Sequence, residues 1–479
     1  MSKIFRHAVY FAAMLPALLV APGFAEQPEN GKAEAVVRPR AEYLLLDNRL
    51  IGGTDNTRLE IGTVRKHPAN PLFGQELPWE TDISHMYPNV IYDRREQLYK
   101  IWYYTRILDW KRDVTPGPLA PKQETQGNCA TLYATSKDGI RWEKPRLDVY
   151  RYRGDLTNIV FWRDHGTGVF KDPHDPDPSR RYKLICGRMP HGHIDVAFSP
   201  DGICWGERTF VAEARGDTHN NALWAPTLSK YVAFTREYPD RIRTVVRMES
   251  EDFDHWTRPV EVLRGPREAQ TYSMPVFYYA GVYLGLPAIL HGRVHTELAW
   301  SPDTKTWHRI AQGTPFLPLG EEEGSYDWGC IYAAAKPVML DDEIRIYYSG
   351  QKGKHSWQPG ALCLATLRPD GWAGYEPIDK DQPATIRTTP VRCTGSVLSI
   401  TADADGGAAR VTALDADGHT LGQSEPVTGD VTDAPVAWRD GFELTAWKDR
   451  PIRLVFDIKQ AKLYAFSFQQ ERPVTNSKK

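Results

Sequence analysis

The sequence lacks the features that define several common functional classes. Its 479 residues carry a net charge of only −2, so no charge excess indicates nucleic-acid binding. It has no Gly-x-Ser-x-Gly motif, phosphate-binding loop or dinucleotide-binding fingerprint, which argues against the enzyme classes built on those motifs. Beyond the N-terminus, no apolar run approaches the roughly 20 residues that span a bilayer. We therefore expect neither a nucleic-acid partner nor a membrane span.

Cysteine is also sparse, with six residues in the chain. Their wide spacing matches neither a disulfide framework nor a zinc site, so we predict no metal centre built on cysteine. Burial as free thiols and pairing as disulfides both stay open. The six residues are Cys129, Cys186, Cys204, Cys330, Cys363 and Cys393.

The N-terminus has the pattern of a secretory signal. Lys3 and Arg6 precede an apolar run from Ala8 to Val20, and small residues before Glu26 provide a cleavage site. We predict a signal peptide at 1–25, followed by a polar, disordered leader at 26–40. The mature protein is expected to be periplasmic or secreted.

A heptad, Ser-x-Asp-x-x-x-Trp, recurs four times. The serines are spaced by 63, 51 and 51 residues, and a degenerate fifth copy follows at Asp370-Gly-Trp372. A repeat of this period, with one turn and one Trp in each unit, is typical of propeller blades. Ser and Asp are expected to hydrogen-bond the local backbone of a turn, and the Trp to pack between blades. The four copies run 136–142, 199–205, 250–256 and 301–307.

Two strands joined by a short turn precede each heptad, so the sequence predicts an all-β, five-bladed β-propeller over 41–380. The predicted blades span about 82–145, 156–210, 217–262, 268–312 and 325–378. The turn-rich segment 48–80 should cover one face or close the ring, and an insertion at 109–126 should form a loop over one mouth. An ordinary β-sandwich is the competing interpretation, but it gives no reason for a heptad at near-constant spacing.

The sequence pattern changes after about residue 380. Alternating strands without the heptad continue to about 470, separated by Asp-Gly and Gly-rich turns. They predict a small C-terminal β-sandwich at 381–470, with a disordered tail at 471–479.

Acidic residues lie close to the predicted inner strand of every blade. Because the inner strands of a small propeller converge at one end of its axis, we expect these residues to share a funnel. Grouped carboxylates raise one another's pKa and are costly unless they are used, and glycoside cleavage uses them as acid, base or nucleophile, and stabiliser. The alternative use is an axial calcium ion. The predicted catalytic residues are Asp82, Asp172, Asp217, Glu268 and Asp327.

Other side chains near the same strands are candidates for substrate binding. His85, His165 and Tyr272 begin or precede inner strands, and Trp328 offers an aromatic face to a sugar. Arg236, Arg243 and Arg247 of the third blade are candidates to clamp a carboxylate or sulfate substituent, although a solvated strand face explains them equally well. The predicted substrate-binding residues are His85, His165, His219, Asn220, Arg247, Tyr272, Trp328 and His355.

These patterns resemble the glycoside hydrolases of the five-bladed propeller superfamily, families 32, 43 and 117, with a trailing sandwich similar to that of family 32. Phe170-Lys-Asp172-Pro173 is similar to that group's Arg-Asp-Pro motif, which implies a stabilising role for Asp172. Asp82 stands where the group has its first catalytic Asp, the base or nucleophile. The family 32 opening motif and Glu-Cys-Pro acid motif are absent, which leaves the general acid open among Asp217, Glu268 and Asp327.

The sequence thus predicts an exported, exo-acting glycoside hydrolase that releases terminal sugars from plant or algal oligosaccharides, and whether these are neutral or anionic stays open. No cofactor is expected to be required, apart from the axial calcium considered above. A non-catalytic carbohydrate-binding propeller and a glycoside phosphorylase on the same fold are the alternatives. The binding module predicts sugar binding that survives loss of the acids, and the phosphorylase predicts a basic pocket and a requirement for phosphate.

Overall fold

The computed structural model describes residues 43–122, 127–162, 164–188, 192–356 and 359–469. The predicted signal peptide, leader and C-terminal tail lie outside these residues. Within them, no helix is long and apolar enough to cross a membrane. Almost all regular structure is β-strand, which confirms the predicted all-β class.

Four four-stranded sheets and part of an eight-stranded sheet form the five blades of the propeller. The first contains Asn89–Asp93, Leu98–Arg106, Cys129–Ser136 and Ile159–Trp162. The second contains His165–Lys171, Tyr182–Arg188, His193–Ser199 and Thr209–Glu213. The third contains Asn221–Ala225, Lys230–Glu237, Thr244–Ser250 and Val260–Arg264.

The fourth and fifth blades are joined to each other. The fourth contains Val276–Tyr279, Val282–Gly285, Leu298–Ser301 and His308–Ile310. Gln270–Ser273, Ala288–His291 and Arg293–Thr296 adjoin these strands in the chain but pair within the same sheet as the fifth blade. The fifth contains Cys330–Ala333, Val338–Met339, Ile344–Gln351, Gly360–Leu367 and Arg65–Lys66. A parallel pairing of Val294 with Cys330 links the two blades.

The ring is closed by an N-terminal strand. Arg65–Lys66 pairs with Gly360–Leu367 as the outermost strand of the fifth blade, and Ala335 donates its N–H to the carbonyl of Pro88 in the first blade at 2.9 Å. The segment predicted to cover a face or close the ring therefore contributes to closure. The five-bladed propeller predicted from the heptad is confirmed.

The heptads form the turns that the sequence predicts. In the first copy, Ser136 Oγ accepts the N–H of Gly139 at 2.8 Å, and Asp138 Oδ1 accepts the N–H groups of Ile140 and Arg141 at 2.9 and 2.8 Å. The same Ser and Asp bonds recur in the second and third copies. In the fourth copy the Asp bond recurs, and Ser301 Oγ accepts the N–H of Asp303. The backbone φ of the fourth residue is positive in every copy. In the first two copies this residue is glycine, which adopts a positive φ without cost.

Each heptad docks on the blade before it. Trp205 of the second blade lies 6.1 Å from Phe161 of the first, and Trp307 of the fourth lies 5.8 Å from Phe234 of the third. Tyr347 of the fifth blade donates its hydroxyl to the carbonyl of Gly139 in the first at 2.9 Å. These contacts place the heptads in the scaffold.

The structure differs from the prediction at the start of the second blade and in the insertion of the first. Ile159–Trp162 was assigned to the second blade, but it pairs with Cys129–Ser136 as the outer strand of the first. Before it, the chain forms a separate three-stranded sheet of Val114–Pro116, Leu147–Tyr152 and Asp155–Thr157, next to a short helix, Trp110–Asp113. The insertion at 109–126 thus contains regular structure, although residues 123–126 lie outside the description.

The remaining strands form one eleven-stranded sheet around a second core. Its longest strand, Val397–Leu414, pairs with Lys462–Gln469 along its first half and with Pro451–Lys459 along its second. The buried apolar positions of this strand change from even to odd numbers across Gly406-Gly407, as expected of a bulge. The other strands are Tyr43–Leu44, Ile51–Asp55, Thr57–Ile61, Ala373–Pro377, Ala384–Thr388, Val391–Arg392, Thr420–Gln423 and Val427–Pro435.

Three of these strands precede the propeller in the chain. The prediction assigned residues 41–60 to the propeller, but Tyr43–Leu44 pairs with Lys462–Gln469, and Ile51–Asp55 pairs with Ala384–Thr388.

Short 3₁₀ helices occur at Asn48–Leu50, Pro178–Arg180, Pro239–Arg241 and Leu444–Trp447. All six cysteines are free thiols.

Candidate active site

An aromatic and histidine cluster lies where the inner strands begin. Tyr87, just before the first inner strand, has its ring 5.8 Å from His165 of the second blade and 5.4 Å from His219 of the third. Its hydroxyl lies 3.3 Å from that of Tyr272 in the fourth blade, whose ring is 5.3 Å from Tyr332 in the fifth. All five blades therefore contribute to one site, as the predicted funnel requires.

Asp217 is the carboxylate at the centre of this cluster. One of its oxygens lies 3.0 Å from Nε2 of His165 and the other accepts a hydrogen bond from Arg236. The Asp217 side chain is 36% exposed, whereas Arg236 is only 3% exposed. The carboxylate is thus held by an ion-pair contact with His165 and a hydrogen bond from Arg236, and part of it stays exposed.

The charges of this group support one another. Burial opposes ionisation of Asp217, but the hydrogen bond from His165 and the charge of Arg236 hold the pKa of its carboxyl well below the usual range. Burial also disfavours a charged His165, but Asp217 and the neighbouring Cys129 thiol raise the pKa of that imidazole to about 9. At neutral pH the site therefore holds a carboxylate next to an imidazolium.

The other three histidines of the cluster are neutral. Burial lowers the pKa of His219 to about 3. Burial, followed by the charges of Arg243 and Arg236, lowers the pKa of His355 to about 4. Burial and the neighbouring His355 and His165 hold the pKa of His85 well below its usual value. Neutral imidazoles can accept or donate hydrogen bonds to sugar hydroxyls.

Asp82 lies at the edge of the cluster. Its carboxylate accepts Arg106 Nε at 2.9 Å and the N–H of Ser84 at 3.2 Å, while the Ser84 hydroxyl lies 3.2 Å from Nδ1 of His85. Asp82 is thus connected to the site through Ser84, and its predicted role as base or nucleophile stays a prediction.

Three predicted acids are not brought into the cluster. Asp172 lies at the far end of the second inner strand, where it accepts Tyr231 Oη at 2.6 Å and pairs with the fully buried Lys183 at 3.1 Å. We therefore correct its predicted role as transition-state stabiliser, because a strand of seven residues separates it from His165. Its contacts are those of a buried ion pair within the scaffold.

The remaining two acids were candidates for the general acid. Asp327 is buried, but it accepts Tyr348 Oη at 2.9 Å and pairs with Lys66 of the closing strand at 2.7 Å. Glu268 lies exposed in the turn before the fourth inner strand. The five equivalent carboxylates predicted for the funnel are thus reduced to Asp217, with Asp82 at its edge.

Three predicted substrate-binding residues have other surroundings. Asn220 Nδ2 donates to the carbonyls of His165 and Gly166 at 3.1 and 2.9 Å, which ties the second blade to the third. Arg247 donates to Thr304 of the fourth blade at 2.7 Å, and Trp328 packs under Arg293 at 5.2 Å. We therefore correct Asn220 and Arg247 to scaffold contacts.

Two residues of the site were missed because they lie inside strands and not at the start of an inner strand. Tyr104, on the second strand of the first blade, has its hydroxyl 3.3 Å from His165 Nδ1 and 3.1 Å from Cys129 Sγ. Tyr332, on the fifth inner strand, has its hydroxyl 3.1 Å from His355 Nδ1. Strand alternation carries the only signal for them, since their side chains share a face with predicted residues.

No cation site is evident near the axis among the described residues. Among those residues, Asp415, Asp417 and His419 form a group of three side chains whose ligand atoms lie within 4.8 Å of one another. They lie on a turn of the eleven-stranded sheet. The axial calcium stays a prediction.

Comparisons with known proteins find similarity at the level of solved structures. No protein-family model matches the chain, and no curated protein matches it. An N-acetylgalactosamine deacetylase from F. plautii, in complex with blood group B trisaccharide, is 14% identical over 64% of this chain and 95% of its own, with a TM-score of 0.44. The α-L-arabinofuranosidase PaAbf62A from Podospora anserina, in complex with cellotriose, is 12% identical over 64% and 98%, with a TM-score of 0.44.

A third solved structure has the same level of similarity. The catalytic domain of an α-L-arabinofuranosidase from Coprinopsis cinerea is 13% identical over 64% of this chain and 97% of its own, with a TM-score of 0.44. Two of these three proteins are glycoside hydrolases, and one is a deacetylase.

Proposed function

We propose that this protein is an exported, exo-acting glycoside hydrolase that releases terminal sugars from plant or algal oligosaccharides at Asp217. The observation that carries the proposal is the partly exposed Asp217 carboxylate, held ionised against His165 and Arg236 within a ring of tyrosines and histidines from all five blades. The signal-peptide pattern of residues 1–25 supports export.

The chemistry requires a group that gives a proton and a group that carries negative charge. Asp217 supplies the charge, because its low pKa keeps it ionised, and it acts as base or nucleophile at the sugar. His165 supplies the proton to the leaving oxygen, because its pKa of about 9 keeps it protonated at neutral pH. This assignment departs from the usual carboxyl pair of glycosidases, in which a second carboxyl is the acid.

The surroundings of Asp217 favour a terminal sugar. The rings of Tyr87, Tyr272 and Tyr332 and the neutral His85 enclose the site on the axis side. Aromatic faces pack against the apolar faces of sugar rings, and hydroxyls and imidazoles bond to sugar hydroxyls. An enclosed site at the end of the axis takes the end of a chain more readily than its middle.

The test is product release from a panel of plant and algal oligosaccharides by the wild type, Asp217→Asn and Asp172→Asn. We expect the wild type to free a terminal sugar without phosphate, and Asp217→Asn to lose about a hundredfold or more of kcat. Asp172→Asn is the matched control, because it makes the same Asp-to-Asn change at a residue of the scaffold. It should keep kcat and lose about 1–3 kcal/mol of unfolding free energy, because Lys183 is left with a weaker partner.

Two results contradict the proposal. If nothing in the panel is cleaved while a glycan binds the wild type and Asp217→Asn equally, the site is a carbohydrate-binding module. If turnover requires phosphate, the protein is a phosphorylase.

A further inference from the structure

Positive charge exceeds negative charge around the candidate active site. The positive groups are Arg236, Arg243 and the protonated His165. The negative group is Asp217, which already contacts Arg236 and His165. The sequence predicted the reverse, with carboxylates in the majority. An excess of fixed cations near a ligand pocket favours an anionic ligand.

Arg243 differs from Arg247, Arg264 and Arg309, which have carboxylate partners. It is partly buried, its Nη1 donates to the side-chain oxygen of Gln270 at 3.1 Å, and its Nε is buried without a hydrogen-bond partner among the described residues. Across that same part of the chain, no carboxylate lies within ion-pair distance of Arg243. By contrast, Arg247, Arg264 and Arg309 pair with Glu249, Glu261 and Glu297 at 2.6–2.8 Å.

Both Arg236 and Arg243 stand over one ring of the site. Their guanidinium carbons lie 4.7 and 5.6 Å from the centre of the Tyr272 ring. Nη1 of the buried Arg236 has no hydrogen-bond partner among the described residues. A buried donor left unpaired is costly, and a charged acceptor satisfies it best.

The two arginines also act on the fifth blade. Their charges contribute to the low pKa of His355, whose ring lies 4.9 Å from that of Tyr272. Arg236, Arg243 and the neutral His355 thus share the surroundings of the Tyr272 ring.

We propose that the terminal sugar bound at this site carries a carboxylate or sulfate group, which binds Arg243 with Arg236 as a second fixed charge beside Tyr272. This inference rests on the proposed function, and it names the substrate class as an acidic glycan such as a uronate or a sulfated sugar. Arg243 is the specificity residue, because it is half exposed and has no protein counter-ion among the described residues.

The experiment compares the binding of acidic and neutral sugars by calorimetry. The pairs are glucuronic acid with glucose, galacturonic acid with galactose, mannuronic acid with mannose, and galactose 6-sulfate with galactose. We expect at least one acidic sugar to bind the wild type about tenfold or more tightly than its neutral partner, because its anionic group forms charge-assisted hydrogen bonds with the arginine. Arg243→Gln should reduce this preference to near parity.

Arg264→Gln is the matched control, because Arg264 is on the same blade but already pairs with Glu261 at 2.7 Å. It should keep the preference for the acidic sugar. If Arg243→Gln is misfolded by circular dichroism, salt titration of the wild type replaces it. The affinity for the acidic sugar should then fall with ionic strength, while the affinity for the neutral partner stays constant.

Three results would overturn the inference. They are equal binding of acidic and neutral sugars by the wild type, a preference that survives Arg243→Gln, and an anion requirement met by inorganic phosphate that is consumed during turnover. The binding test of the inference and the cleavage test of the proposed function can also fail independently of each other. Acidic sugars that bind through Arg243 without cleavage contradict the hydrolase alone, and cleavage of neutral glycans without acid preference contradicts the anion site alone.

Discussion

Nε2 of His165 lies 3.0 Å from the carboxylate of Asp217, and this contact joins the second blade to the third at the centre of the candidate active site. Each residue sets the protonation of the other. Without Asp217, burial would act on His165 with less opposition and lower its pKa. The pair therefore links the charge state of the site to the relative position of two blades.

The first prediction concerns the pH dependence of this pair. We expect kcat/KM to be constant from mildly acidic to mildly alkaline pH and to fall near pH 9, as His165 loses its proton. Asp217 itself should cause no loss near pH 4, because the pKa of its carboxyl lies well below the usual range. Any acid limb is expected near pH 4, where His355 gains a proton, and an acid limb between pH 5 and pH 7 would contradict the assignment.

The same pair can be observed without turnover, by NMR titration of the His165 ring. Asp217→Asn should lower the pKa of His165 from about 9 toward its unperturbed value of about 6.5. Asp82→Asn is the control at the edge of the site and should leave that pKa near 9. Equal His165 titrations in the wild type and in Asp217→Asn would show that the contact does not govern the proton.

The heptad made the fold predictable because it encodes a complete local structure. Ser and Asp satisfy the turn's own N–H groups, and this bonding depends only on residues within the heptad. The spacing of the copies then gives the number of blades. The closing strand could not be predicted in the same way, because Arg65–Lys66 pairs with a strand about 300 residues later, and two residues carry no pattern.

The site was predicted less completely than the fold. The sequence placed Asp217, His165, His85 and Tyr272 at the mouth because each begins or precedes an inner strand. It treated the acids of all five blades as equivalent, but the direction of each side chain depends on its strand's twist and neighbours. Asp327 binds Lys66, and Asp172 binds Lys183 at the opposite end of its strand. Only tertiary partners distinguish these acids from Asp217.

The second prediction tests the heptad turn of the second blade. Asp201 Oδ1 accepts the N–H groups of Ile203 and Cys204, each at 2.8 Å. Asp201→Ala should lower the unfolding free energy by about 1–2 kcal/mol, as loss of a capping side chain does in helices. Asp201→Asn, which keeps an acceptor oxygen, should recover most of it. Urea denaturation measures both variants, and equal midpoints for Ala and Asn would show that the turn does not depend on this acceptor.

The third prediction concerns stability in acid. His219 is buried, lies 3.2 Å from Asn89 Oδ1 through its Nε2, and has a pKa of about 3. In the unfolded chain its pKa returns to about 6.5, so the unfolded state binds the extra proton between these values. Stability should therefore fall as the pH drops below 6.5, and this loss should level off near pH 3.

His219→Gln removes that proton but keeps an amide donor for Asn89. Between pH 6 and pH 4 it should reduce the slope of unfolding free energy against pH by up to about 1.4 kcal/mol per pH unit. His85 and His355, whose pKa values are also lowered, should maintain part of the slope. His419→Gln changes an exposed histidine and should leave the slope unchanged. If His219→Gln and the wild type have the same slope, His219 is protonated in the folded protein, and the interior of the site is more polar than its tyrosines and neutral imidazoles imply.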